Sequence, residues 1–145
     1  MTIENSAVST EFNIKTRRKV LQEILDIRRF DLIAKMEGIK LHRKTNKDDI
    51  EEDCTAFAFG LRGDELRNEK MRLFGEYRET PDPIPGDFVL YCKRTSWDPE
   101  EFKHIGIFLG NGFVRSKWGQ LDVYDHPTLL VPYDYGNIVK FVKRP

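Results

Sequence analysis

The fold is decided by the sequence HIGIFLGNGFVRSKW, which occupies residues 104–118. Two runs rich in apolar residues, 104–109 and 113–118, flank a Gly-Asn-Gly sequence, and this arrangement is typical of a β-hairpin. A three-residue loop at 110–112 would pair Leu109 with Phe113 and His104 with Trp118. In that register Ser116 and Trp118 share the strand face of His104. The hairpin thus predicts an antiparallel sheet with a titratable group at the start of one strand.

Working outward from the hairpin, the sequence predicts helices first and strands afterwards. Short strands are expected at 87–92, 121–124 and 137–142, after a rigid break at 81–86 that contains three prolines. Apolar residues at three- and four-residue spacings predict one long helix or two short ones over 12–36, with Gly38 as the stop. The chain is therefore expected to form an α+β domain.

The segments between these elements complete the expected organisation, a single domain over residues 1–145. Residues 1–10 are expected to be frayed, 41–53 to form a solvated connector, and 61–79 to be charged and irregular. Residues 1–52 are interpreted as a helical N-terminal extension with its connector, and 53–145 as the core.

Composition limits the classes of function. The 145 residues carry 24 Lys and Arg against 24 Asp and Glu, so the chain has no net charge to attract a phosphate backbone, and nucleic acid is not an expected partner. The 12% aromatic and 39% hydrophobic content is enough for a packed core.

Location and cofactors are predicted from what the sequence lacks. No apolar run approaches the ~18 residues of a membrane span, and the start has no secretion-signal pattern, so we expect a cytoplasmic protein, with leaderless export left open. Two cysteines give at most one disulfide, and the reduced state is the better expectation. No metal or cofactor is expected, because the cysteines lack a zinc-type spacing.

Cys54 is placed where a thiol could become reactive. Asp53 is a good N-cap for a short apolar helix ended by Gly60, and this puts Cys54 in the first helical turn. The partial positive charge of a helix start favours a thiolate, but the acidic residues 51–53 oppose it. Alternatively, Cys54 is a small buried residue that packs in the core without chemistry, and this is how we interpret Cys92.

The three histidines differ in their expected surroundings. His42 lies in a basic run and is expected to be solvated. His104 begins an otherwise apolar strand, as either an edge residue or a site residue. His126 lies between Asp125 and a proline in a predicted turn, where a surface role is favoured.

Three segments resemble motifs of the NlpC/P60 cysteine hydrolases. DCTAF at 53–57 resembles their DCSGF signature, and PGDFVLY at 85–91 resembles their Pro-Gly-Asp strand. HIGIFLGNG at 104–112 resembles their HVGIYLGNG hairpin. The order of the motifs and the gap of 104 − 54 = 50 positions between the cysteine and the histidine are similar to the family's. The resemblance spans residues 53 to about 118.

The resemblance implies a papain-like α+β fold with Cys54 as nucleophile and His104 as its base. The implied reaction is cleavage, or transfer, of an acyl group from an amide in a small peptide, such as a peptidoglycan-type peptide. The family's third polar residue, which orients the histidine, aligns with Ser116, where the family more often has His, Asn or a carboxylate. Trp118 is then expected to wall the imidazole, although Ser116 as a plain interior hydroxyl fits nearly as well.

A second resemblance concerns residues after the hairpin. Small bacterial proteins share a Ser-Lys-x-Gly pattern, here at 116–119, followed by a later histidine, here His126, and then by a Tyr-Gly pair at 135–136. It implies that His126 returns to the site to orient His104 or to contact substrate. Lys117 is the candidate contact for an acidic substrate, or else a solvated strand residue.

A different class of function fits the same sequence. The scaffold would then be a non-catalytic binding or regulatory module, with the Arg-rich helical third as its partner surface. The distance between the thiol and the imidazole, and access to them, discriminates this hypothesis from an enzyme.

Overall fold

The structure is a computed structural model that describes residues 11–46 and 48–145, with side chains from residue 13 onward. The expected fraying of residues 1–10 lies outside the described residues. The α-helices are α1 (Glu11–Asp26), α2 (Cys54–Phe59) and α3 (Gly63–Gly75), and two 3-10 helices span Phe30–Lys35 and Tyr133–Tyr135. The strands are β1 (Lys40–Arg43), β2 (Arg78–Glu79), β3 (Phe88–Lys93), β4 (Glu101–Gly110), β5 (Phe113–Lys117), β6 (Val123–Pro127) and β7 (Ile138–Lys143).

All seven strands join one antiparallel sheet in the order β1-β6-β5-β4-β3-β7-β2. Mixed helices and an antiparallel sheet confirm the predicted α+β class. None of the helices formed by residues 11–46 and 48–145 has the length and apolar character that a bilayer crossing requires.

The β4–β5 hairpin keeps the predicted register over most of its length. Ile107 lies opposite Arg115 and Phe108 opposite Val114, as a pairing of Leu109 with Phe113 would continue. The loop is tighter than predicted, because Gly110 pairs with Phe113 and the register shifts between Phe108 and Gly110. The bulge changes the turn and leaves the strand faces as expected.

Two predicted irregular segments are ordered elements. The prediction for 61–79 was wrong over most of its length: α3 occupies Gly63–Gly75 and buries only Leu73, so its sequence lacks a clear apolar stripe. The predicted connector 41–53 begins with strand β1, which pairs with β6. All four residues of β1 are exposed, so the strand has no alternating pattern to reveal it. Part of the presumed N-terminal extension therefore belongs to the sheet.

The predicted helical region 12–36 forms two separate pieces. Helix α1 ends at Asp26, and a 3-10 helix takes over at Phe30. Between them Arg28 has φ of 60°, a conformation that interrupts a right-handed helix. The second of the two predicted alternatives, two short helices, is the one observed.

Buried side chains cover both faces of the sheet. Helices α2 and α3 pack on one face, where the core includes Phe59, Leu73, Phe88, Leu90, Cys92 and Ile105. The other face carries Val89, Tyr91, Val114, Val131 and Val139, and beside them α1 packs against Trp118 and Tyr124. The interpretation of Cys92 as a core residue is confirmed.

Gly106 lies at a point of close approach between β4 and β5. An ideal Cβ there would lie 2.5 Å from Val114 Cγ1 and 2.6 Å from Ser116 Oγ. We therefore expect Gly106→Ala to lower the free energy of unfolding by roughly 1–3 kcal/mol, the usual cost of overpacking a core.

Urea unfolding measures the effect of Gly106→Ala. The matched control is Gly75→Ala at the end of α3, where an added Cβ meets nothing within 4 Å. The control is expected to change stability by less than about 1 kcal/mol, and equal losses in the two variants would contradict the packing argument.

Candidate functional site

Cys54 is the first residue of α2, and local sequence signals place it there. The Asp53 carboxylate caps the helix by accepting hydrogen bonds from the amides of Thr55 (3.1 Å) and Ala56 (2.9 Å). At the other end Gly60 takes a left-handed conformation with φ of 66°. The predicted short helix with Cys54 in its first turn is confirmed.

The thiol of Cys54 is half-buried. Burial raises its pKa above the ordinary value of a thiol, and the Asp53 carboxylate adds to this rise. The hydroxyl of Thr55, 3.7 Å from the sulfur, and the backbone amide of Ile105 act in the opposite direction by stabilising the thiolate. Burial and the Asp53 charge therefore outweigh the hydrogen bonds that stabilise the thiolate.

His104 is enclosed by aromatic rings. Only 1% of its surface is exposed. Its ring stacks on Tyr135, with centroids 4.6 Å apart and an interplanar angle of 20°, and lies 5.6 Å from the ring of Tyr91. Burial lowers its pKa well below 6.5, and His126 contributes to this lowering. At neutral pH the imidazole is therefore uncharged, and none of the described residues forms a hydrogen bond with its Nε2.

The thiol and the imidazole approach β4 from different sides. Cys54 packs with the core on the α2 face, which includes Ile105. His104 lies directly opposite Tyr91 in the β3–β4 ladder and shares its face, which is the other face of the sheet. A shift in the ladder at this point, between Tyr91 and Cys92, marks a bulge at the start of β4.

Tyr135 covers the imidazole of His104, and the pKa of its hydroxyl responds to charge on the Cys54 thiol. It stacks on His104, and a negative charge on Cys54 raises the pKa of its hydroxyl, to which burial contributes most. A charge on sulfur therefore acts on the same phenol ring that covers the imidazole. Sequence analysis gave Tyr135 no role of its own, because nothing local indicates that a residue 31 positions after His104 returns to it.

Arg18 holds the segment that carries Tyr135. This residue of α1 is 1% exposed, and its guanidinium donates to the backbone carbonyls of Val131 (3.1 Å), Pro132, Tyr133 and Gly136. The chain bends sharply after Tyr135: Gly136 has φ of 84°, and a Cβ there would collide with the backbone of β3. The segment is thus fixed between α1 and the end of β3.

Ser116 pairs with His126, and His104 does not take part. The Ser116 hydroxyl lies 2.8 Å from His126 Nε2, and His126 Nδ1 lies 2.8 Å from the carbonyl oxygen of Pro127. Because a carbonyl can only accept, Nδ1 carries the proton in the neutral ring and donates to Pro127. Nε2 then accepts from the Ser116 hydroxyl, which is therefore a donor to His126 in this arrangement.

His126 is a core residue, contrary to the expected surface turn. It lies in β6, has no exposed surface, and its ring is 5.1 Å from that of Trp118. Burial lowers its pKa to about 4. A charge on His126 lowers the pKa of His104, and the expected role of His126 in orienting that imidazole stays a prediction. The apolar pattern of β6 is broken by Asp125 and His126 themselves, which is why the strand was predicted too early, at 121–124.

The two candidate substrate contacts are both buried. Lys117 has no exposed surface, and its ammonium group donates to the carbonyls of Gly119 (3.0 Å) and Leu121 (2.9 Å). Trp118 is 2% exposed and stacks on Tyr124. Its ring packs beside that of His126, whereas the prediction placed it beside His104. In this conformation both side chains support the loop after β5.

The remaining predictions from the sequence concern His42, a disulfide and a metal site. His42 is exposed on the edge strand β1, as expected from its basic surroundings. Cys54 and Cys92 are both free thiols. Among the described residues, no group of three His, Cys, Asp or Glu side chains is arranged to hold a metal ion.

In comparisons with known proteins, no family model and no curated sequence matches the chain.

Asp53→Asn tests the electrostatic opposition at the helix start. Asn is an equally good N-cap, so α2 is expected to remain intact, while removal of the carboxylate charge lowers the pKa of Cys54. The rate of alkylation by iodoacetamide is measured against pH in a Cys92→Ala background. In Asp53→Asn this rate is expected to begin its rise at a lower pH than in the protein that keeps Asp53. Asp53→Ala is the control that also loses the cap, at a cost of about 1 kcal/mol. An unchanged profile in Asp53→Asn would contradict this account.

The buried histidines predict acid sensitivity. The pKa of His126 is about 4 in the folded protein and near 6.5 in the unfolded chain, so the unfolded state binds more protons as the pH falls below 6.5. Stability is therefore complete above pH 6.5 and decreases towards pH 4. His126 alone is expected to remove about 2 kcal/mol between pH 6.5 and 4.5.

Urea unfolding at several pH values measures this loss. His126→Asn is expected to flatten the dependence between pH 6.5 and 4.5, whereas His42→Asn, at an exposed site, is expected to leave it unchanged. Parallel curves for wild type and His126→Asn would show that His126 is not the titrating group.

Proposed function

We propose that this chain is a cysteine hydrolase with a papain-like, NlpC/P60-type fold, and that it cleaves an amide bond in a small peptide through an acyl-enzyme on Cys54. The observation that carries the proposal is the cluster at the start of β4. There the half-buried thiol at a helix start packs against the core cluster that includes Ile105, the residue next to the uncharged imidazole of His104. The three motifs at 53–57, 85–91 and 104–112 support the same reaction class.

In the proposed mechanism both groups are neutral before the reaction begins. Burial raises the pKa of the Cys54 thiol and lowers that of the His104 imidazole, so an uncharged ring is present to accept a proton. The sulfur attacks the carbonyl carbon while His104 takes the thiol proton. His104 then returns the proton to the leaving amine as the C–N bond breaks, and a thioester remains on Cys54.

Water completes the proposed cycle. His104 accepts a proton from a water molecule that attacks the thioester, and the carboxylic acid and the free thiol are released. If an amine takes the place of water, the same groups carry out acyl transfer.

The helix start supports oxyanion stabilisation in this mechanism. The Asp53 carboxylate accepts hydrogen bonds from the amides of Thr55 and Ala56, and it does not cap the amide of Cys54. The Cys54 N–H is thus the helix-start donor that remains for a developing negative charge on the substrate oxygen.

A non-catalytic binding module on the same scaffold is the second candidate. It is favoured by two observations: the nearly complete burial of His104 beneath Tyr135 and Tyr91, and the approach of the thiol and the imidazole to β4 from different faces of the sheet. In that case the cluster would be a packed relic, and the thiol would show no base-dependent chemistry.

Acylation by a small activated ester separates the two candidates. Wild type and Cys92→Ala are treated with p-nitrophenyl acetate near pH 7.5, and the adduct is followed by intact mass and peptide mapping. We expect one acetyl group on Cys54 in both proteins. His104→Asn is expected to slow its formation by roughly 100-fold, a typical contribution of general-base catalysis.

Matched variants make the result specific to the site. His42→Asn, an exposed histidine, is expected to acylate like wild type, and Cys54→Ala to form no thioester. Equal acylation rates in His104→Asn and wild type would overturn the proposed mechanism and favour the binding module.

A further inference from the structure

A cavity of about 650 Å³ lies between the loop after β1, the loop that joins β5 to β6, and the start of the first 3-10 helix. Its volume is typical of sites that bind small molecules, which range from roughly 300 to 1,000 Å³. Much of its wall is apolar or aromatic, and this part consists of Phe30, Ile50, Leu121 and Tyr124. Ile50 is 76% exposed, so a ligand that covers it would remove apolar surface from water.

The two loops that form this cavity are tied to each other. The backbone amide of Thr45 donates to the Asp122 carboxylate (2.8 Å), and its hydroxyl donates to the carbonyl of Leu121 (2.7 Å). The side-chain amide of Gln120 donates to the carbonyl of Ile50 (3.1 Å). The cavity is therefore built in advance, which reduces the entropy lost when a ligand binds.

One charge of each sign lines the cavity. Asp122 uses one carboxylate oxygen for the Thr45 amide, and the guanidinium of Arg28 lies 5.6 Å from the centroid of the Phe30 ring. Within the described part of the chain, Asp122 and Arg28 form no salt bridge, either with each other or with a third residue. Both charges can therefore pair with groups of a ligand.

The neighbouring charged groups are held by other partners or lie outside the wall. Two salt bridges hold four of them, Arg29–Asp31 and Arg62–Asp49. The ammonium of Lys117 is attracted by Asp122, but it donates to the carbonyls of Gly119 and Leu121. Asp48 and Glu51 are exposed to solvent and do not line the cavity. A ligand in the cavity therefore meets Asp122 and Arg28 as its charged neighbours.

Tyr124 offers a hydrogen-bond donor in the same wall. The residue is only 4% exposed, and its ring stacks on Trp118. None of the described residues forms a hydrogen bond with its hydroxyl. Burial raises the pKa of this hydroxyl to about 12, and the charge of Asp122 contributes, so it keeps its proton at neutral pH. A nearly buried phenol without a partner is thus able to donate to an oxygen atom of a ligand.

We infer that this cavity binds a small zwitterion with a large apolar side chain, an amino acid or a dipeptide. The ammonium pairs with Asp122, and the carboxylate pairs with Arg28 and accepts a hydrogen bond from the Tyr124 hydroxyl. The apolar side chain lies against Phe30 and Ile50. This inference does not depend on the cysteine chemistry proposed above.

Isothermal titration calorimetry with L-phenylalanine and, separately, with L-phenylalanylglycine tests the inference at constant ionic strength. We expect saturable binding of at least one of them, with a dissociation constant on the order of 1 mM or below. An amino acid carries both charges on one carbon, whereas a dipeptide separates them by a peptide unit. The tighter ligand therefore identifies the source of the zwitterion.

Ligands and variants that each lack one charge test the two pairings. Asp122→Asn keeps an oxygen for the Thr45 amide, so the fold is expected to survive. This variant is expected to weaken binding of the zwitterion roughly tenfold, but not that of 3-phenylpropionate, which has no ammonium. Arg28→Gln is expected to weaken the zwitterion to a similar extent, but not phenethylamine, which has no carboxylate.

Matched controls make these results specific to the cavity. Asp82→Asn and Arg94→Gln remove the same charges from exposed positions outside it, and are expected to change the dissociation constant by less than about twofold. Ile50→Thr tests the apolar wall against Ile84→Thr, which is also exposed. Only the first of these two is expected to weaken binding.

The outcomes distinguish this inference from the proposed function. Cys54→Ala is expected to bind the zwitterion as wild type does, even though it forms no acyl-enzyme. Absence of saturable binding for both phenylalanine ligands, or equal weakening by Asp122→Asn and Asp82→Asn, would overturn the inference and leave the acylation result untouched.

Discussion

The site depends on the contact between Tyr135 and His104. Stacking at 4.6 Å removes the imidazole from water, and this removal keeps its pKa well below 6.5. Arg18 binds the backbone carbonyls of Val131, Tyr133 and Gly136 and so holds the segment that carries Tyr135. A guanidinium in the first helix therefore fixes the segment whose aromatic ring covers His104 in the fourth strand. The N-terminal third, outside the region that resembles a hydrolase, thus contributes directly to the site.

Neutrality of both reacting groups has a chemical consequence. A preformed thiolate–imidazolium pair would require the site to stabilise two charges, and burial makes that unfavourable here. In the proposed mechanism, the charges arise only when a substrate carbonyl is present to accept the electron pair from sulfur. Donors such as the amide of Ile105 then act on the sulfur as the proton leaves it. The environment consequently favours chemistry coupled to substrate over a thiol that is reactive at rest.

Local signals explain which features could be predicted from the sequence. Asp53 and Gly60 define α2 through hydrogen bonds within a few residues, and the Gly-Asn-Gly loop defines the register that places His104 and Ser116 on one face. Helix α3 and strand β1 escaped prediction because their positions are set by contacts with other elements while their own sequences are largely polar. The roles of Tyr135 and His126 were also inaccessible, since each depends on partners from distant strands.

Two buried polar atoms lack hydrogen-bond partners among the described residues, and their location bears on function. They are His104 Nε2 and Trp118 Nε1; the ring of Trp118 lies beside that of His126, and a charge on His126 lowers the pKa of His104. Each such atom costs free energy, so folded proteins keep them few and they concentrate where a function needs them. His126 cannot relieve either one, because its own nitrogens are taken by Ser116 and Pro127. Among the described residues, the sheet therefore keeps two unpartnered polar atoms in its core, and under the proposed function His104 Nε2 is the one that accepts the thiol proton.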